Sequence, residues 1–134
     1  MTGSPNRLLG AVFGVVYLLV GLIGFAYTGF AEFAGTNTGE KILGIFEVNP
    51  LHNIVHLAIG ALLLGASRAV TTAKAANTAV GGVYLLVGVL GLFILDSAAN
   101  ILSLNGADNV LHFASAAVLL GIGLTADKRV AARV

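Results

Sequence analysis

Long apolar runs separated by short polar stretches dominate the chain. Leu8 to Phe30 is 23 residues without a charged side chain, and Ala75 to Leu95 is another such run of 21. At 1.5 Å rise per residue, each crosses a hydrocarbon core of roughly 30 Å as a helix. Two shorter apolar segments, Pro50 to Ser67 and Asn109 to Ala126, begin with their polar ends. Alone, either reads as an interfacial helix. Beside the long runs they complete an even set, and the pattern predicts an all-α, four-span helix bundle in one membrane domain, residues 1–134.

The pattern also repeats. "VYLLVG" stands at 16–21 and again at 83–88. Around it, Gly14, Tyr17, Gly21 and Gly24 align with Gly81, Tyr84, Gly88 and Gly91 at a shift of 67. Asn49, Asn53, His56 and Gly65 align with Asn105, Asn109, His112 and Gly121 at a shift of 56, the first half having the longer loop. Two tandem helical hairpins are implied, 8–67 and 75–126. Each crosses twice, so they are parallel repeats about an axis along the membrane normal. The glycines fall on one helical stripe, as close helix packing in lipid requires. Tyr17 and Tyr84 are expected as buried hydroxyls near mid-membrane. A signal peptide is the rival reading of the first run, but that run is long for one and has a twin deep in the chain.

Composition and charge then set orientation and exclude partners. The chain is 57% hydrophobic and 10% charged, against about a quarter charged for a soluble domain. Arg7, Arg68, Lys74, Lys128, Arg129 and Arg133 fall on one side of the predicted spans and only Lys41 on the other. Basic residues favour the cytoplasm, so both termini are expected there, in a multi-pass protein of the inner, cytoplasmic membrane. The scattered basic residues and a net charge of +1 argue against nucleic acid as a partner. Without cysteine there are no disulfides and no thiolate metal sites. The outer loop, 31–48, contains Ile42, Leu43, Ile45 and Phe46, which are expected as a short interfacial helix at the bundle mouth, with a lid as the alternative.

The candidate chemistry lies in "NPLHNIVHLAIGALLLG", residues 49–65. Asn49 before Pro50 is a helix start, and Asn105 opens the fourth helix in the same way. His52 and Asp108 occupy the matching third positions, where an acid completes a cap. His56 and His112 lie deeper, with Asn53 and Asn109 one turn away, and intramembrane ionisable residues commonly face a bundle interior. The plainest reading is a structural network of imidazole, asparagine and tyrosine between hairpins. The sharper one is a divalent-metal site, because His52 with His56 and Asp108 with His112 are each spaced i,i+4. Haem between His56 and His112, or a path for a small solute, are further alternatives.

On these residues, the asparagine–histidine motif at Asn49, His52, Asn53 and His56 within four spans, the chain resembles a bacterial membrane family catalogued as domain of unknown function 4383. The resemblance covers nearly the whole chain. It implies the four-span fold and no activity. With no nucleophile–base pair, phosphate loop or carboxylate pair in view, the leading expectation is a non-enzymatic membrane subunit that associates with itself or with other membrane-protein subunits.

Overall fold

The computed structural model describes residues 3–35 and 40–128. Arg129 and Arg133, two of the basic residues that bear on orientation, lie outside these. Among the described residues four helices form the body: α1, Pro5–Thr28; α2, Pro50–Ala66; α3, Val70–Ile94; and α4, Gly106–Thr125. α1, α3 and α4 are long and apolar enough to cross a membrane. α2, at 17 residues, is apolar but shorter, spanning about 26 Å at the helical rise.

The helix starts follow local chemistry. Ser4 caps α1 by accepting from the Arg7 N–H, with Pro5 at the first position. Asn49 does the same for α2, accepting from the His52 N–H at 2.8 Å ahead of Pro50. At α4 the cap is reciprocal. Asn105 accepts from the Asp108 N–H at 3.0 Å, and the Asp108 carboxylate accepts from the Asn105 N–H at 2.9 Å. That box starts α4 at Gly106, at the opening expected from Asn105.

α1 packs chiefly on α2 and α3 chiefly on α4. Glycine permits both contacts. A Cβ on Gly14 would lie 2.6 Å from the Leu64 nitrogen, and one on Gly81 would lie 2.8 Å from the Leu120 nitrogen. Gly21 presses on Leu57, and Gly88 on the Phe113 ring. At these distances the helix backbones are in direct contact, which supplies packing where no water drives association. Between the two pairs lies a core of Tyr17, Leu63, Val80, Tyr84, Ala116 and Leu119. The outward faces carry exposed apolar side chains, among them Leu22, Phe93 and Val110 at 60%, 80% and 71%. A surface of that kind is matched by acyl chains rather than water.

The expected interfacial helix at 42–46 is instead a β-hairpin. β1, Lys41–Ile42, pairs antiparallel with β2, Phe46–Glu47. Leu43 and Gly44 both have positive φ, +55° and +70°, and the Ile45 N–H closes the turn on the Ile42 carbonyl at 3.1 Å. This mirror-image turn matches strand twist and is incompatible with a helix. The loops of the two halves are tied crosswise: Asn49 Nδ2 donates to the Ile101 carbonyl at 2.7 Å, and Asn105 Nδ2 to the Ile45 carbonyl at 2.8 Å. Each cap asparagine therefore anchors the other half's loop.

Candidate functional site: three buried imidazoles

His52 is the third residue of α2, placed by the Asn49–Pro50 start, and His56 follows one turn later on the same face. His112 enters from the second turn of α4. One ring nitrogen from each lies within 4.8 Å of the other two. All three residues are buried, at 2%, 7% and 4% exposure, so the group is sealed from water. The His52 and His56 rings are 4.5 Å apart between centroids, and His52 and His112 are 6.1 Å apart. Tyrosine packs behind them. Tyr17 stacks on His56 at 5.7 Å, Tyr84 lies against His112 at 5.2 Å, and the two tyrosines stack on each other at 5.4 Å.

The hydrogen bonds around the rings lead elsewhere. Tyr17 donates its hydroxyl to Ser115 Oγ at 2.9 Å. Asn53 donates its amide to Thr28 Oγ1 at 3.0 Å. Its Oδ1 lies over Gly24, where a Cβ would overlap it, and Asn109 Oδ1 lies over Gly91 in the same way. Both amide oxygens lack a conventional donor. In each case the glycine Cα–H points along the direction a Cβ would take, so the oxygen rests on a Cα–H···O contact. Neither asparagine serves an imidazole. Nδ1 of His52, of His56 and of His112 is buried without any hydrogen-bond partner. A buried polar nitrogen left unsatisfied costs about 1–3 kcal/mol, and each of the three rings carries one.

Asp108 is not in this group; its carboxylate closes the α4 cap. The donor set is three imidazoles without a carboxylate. A haem between His56 and His112 would need a flat slot, and the two tyrosines and His52 fill the space around those rings.

A second polar assembly, at the end carrying the first and last described residues, escaped the sequence reading. Asp127 Oδ2 accepts from Ser4 Oγ at 2.9 Å, Asn6 Nδ2 at 2.9 Å and the Asn6 N–H at 3.2 Å. Asn77 Nδ2, from α3, donates to the Asn6 carbonyl at 2.9 Å and to Asn6 Oδ1 at 3.0 Å. Lys74 donates to the Ala126 carbonyl at 2.7 Å, and Arg7 to the Ser67 carbonyl at 2.9 Å. Partial burial works to raise the Asp127 pKa, but the Asn6 and Ser4 donors and the nearby Lys74 prevail and hold the carboxyl below its ordinary range. This carboxylate meets the positive end of α1 and clasps α1 to α4. The sequence signal was Asn77, a polar residue inside an otherwise apolar run.

Apolar helices long enough to span a bilayer, glycine-mediated contacts and an exterior suited to lipid define a small helical membrane protein. The chain belongs to the family described as Domain of unknown function (DUF4383), whose model matches residues 7–125. Neither a characterised protein nor a solved structure matches it.

Proposed function

We propose that this protein binds a transition-metal ion through His52, His56 and His112, within a bundle of four spans. One observation carries the reading: three buried imidazoles bring ring nitrogens within 4.8 Å, with every Nδ1 unpartnered. A purely structural network would have paired those nitrogens. Asn53 and Tyr17 are committed to Thr28 and Ser115, and the buried Tyr84 hydroxyl beside His112 makes no hydrogen bond to the rings. Imidazole donors suit zinc, copper, iron and nickel, and neutral nitrogen is the binding form. The role is binding rather than turnover.

The proposed setting is a bacterial cytoplasmic membrane. The two hairpins run parallel as tandem repeats, with α2 as the short fourth span and both termini cytoplasmic. The matched glycine and asparagine contacts of the two helix pairs support the repeat, and the bias of basic residues supports the orientation. The histidine group then lies in the outer half of the bilayer. Elemental analysis of protein purified in mild detergent tests the binding. About one metal ion per chain in wild type, and its loss in His56→Ala, is expected. A folded wild type that takes up no metal even after loading contradicts it.

A second reading, a subunit within a larger membrane assembly, draws on an outward groove of about 650 Å³ between α2 and α3. Ala61, Gly65, Ala66, Thr72, Ala75 and Ala79 line it, and small residues admit a neighbouring helix. A Gly65→Leu change that dissociates a native-membrane complex would support it; an unchanged mass would oppose it.

A further inference from the structure

We infer that the three-histidine group selects a monovalent, three-coordinate copper ion over divalent zinc; this rests on the metal-binding reading above. Charge and ligand number decide between the two ions. Three neutral imidazoles bring no negative charge to the ion. Among the described residues, no carboxylate or thiolate joins the group, and the nearest candidate by sequence, Asp108, is engaged in the α4 cap.

The surroundings sharpen this. His52 lies in the first turn of α2, so that helix N-terminus adds positive potential at the site. The Born cost of burying an ion grows with the square of its charge. A divalent ion here therefore meets about four times the desolvation penalty of a monovalent one, with no anionic ligand in the group to offset it. Zinc completes a three-imidazole site with a bound water, and these three rings are buried from water. Tyr84 packs beside His112 with its hydroxyl buried, but as a neutral phenol it is a poor fourth donor. Copper accepts imidazole readily, and its monovalent ion is content with three donors.

The tautomer of His52 fits the same use. The backbone of Leu102 and Glu47 offers acceptors to the ring, while Nδ1 has no partner. A proton held on Nε2 by those carbonyls would leave the Nδ1 lone pair free for the ion. Backbone carbonyls commonly orient ligating histidines in this way.

The test is an anaerobic competition on metal-free, detergent-purified protein. Copper(I) is titrated against bicinchoninate, and zinc against a chromogenic zinc chelator, for wild type, His56→Gln, His112→Gln and Asp108→Asn. Circular dichroism verifies that each variant is folded. The expected result is one copper(I) per chain, bound about 100-fold or more tighter than zinc. Each histidine variant loses about 100-fold or more, and Asp108→Asn stays within about threefold of wild type. If the histidine variants unfold, the melting temperature of wild type with and without copper(I) decides: a rise supports the inference and no rise refutes it. Zinc bound as tightly as copper(I) overturns the copper assignment and leaves metal binding standing. A wild type that binds neither ion overturns both.

Discussion

Gly24→Ala replaces a hydrogen by a methyl where the structure has no room for one. The new Cβ would overlap the Asn53 side-chain amide, which is fully buried. The amide must swing away, forfeiting its 3.0 Å bond to Thr28 Oγ1 and its oxygen's contact with the Gly24 Cα–H. Losing the bond removes about 0.5–1.5 kcal/mol, and a buried amide left unpaired adds about 1–3 kcal/mol. Alanine returns about 0.5–1 kcal/mol through backbone entropy, so a net loss of about 0.5–4 kcal/mol is expected. Gly91→Ala should behave alike, because Asn109 lies over it in the same manner. Gly65→Ala and Gly121→Ala are the controls: nothing lies within 4 Å of either Cβ, so neither should lose stability. The assay is reversible unfolding in mixed micelles with increasing denaturing detergent, followed by circular dichroism. Adding Asn53→Ala to Gly24→Ala should recover most of the loss, since the overlap is gone and Thr28 Oγ1 keeps its contact with the Gly29 carbonyl. Equal effects at Gly24 and Gly65, or no recovery in the double variant, would refute the reasoning.

Asp108→Asn should lose about 0.5–1 kcal/mol of capping yet keep any stabilisation by added metal, whereas His52→Ala, His56→Ala and His112→Ala should each abolish it; thermal melts with and without chelator read both. The Asp127 carboxyl titrates below its unfolded value, so its contribution is present above the ordinary carboxylate pKa near ~4 and is lost as pH falls through the lower folded value. Wild type should thus lose more stability than Asp127→Asn between about pH 5 and pH 2, and parallel curves would count against the clasp. For orientation, an impermeant thiol reagent outside the cell should label Ala31→Cys and spare Thr72→Cys, and the reverse pattern would invert the topology.

The architecture was legible because it is written in hydropathy and in helix-start chemistry. Asn49–Pro50 and Asn105 with Asp108 mark their helices through local bonds, which sequence spacing encodes directly. The three histidines were visible as costly residues in apolar segments. What spacing did not show is where their neighbours turn. Asn53 and Asn109 sit one turn from the deep histidines, yet each turns its amide oxygen onto a glycine of the partner helix, because helix packing overrides proximity along the chain. The hairpin at 41–47 was missed because Leu43 accepts a left-handed φ that its residue type disfavours, and an "LG" pair is a weak turn signal. The Asn6–Asp127 clasp joins residues 121 positions apart, and nothing local announces it.

X-ray absorption at the metal edge, on protein isolated in mild detergent and loaded with its preferred ion, tests most directly whether His52, His56 and His112 hold one ion between them. Imidazole rings give outer-shell multiple scattering that water and carboxylate do not. Three imidazole nitrogens in the first shell, falling to two or to none in His112→Gln, is the predicted result. A shell dominated by oxygen, or one unchanged by His112→Gln, would contradict it.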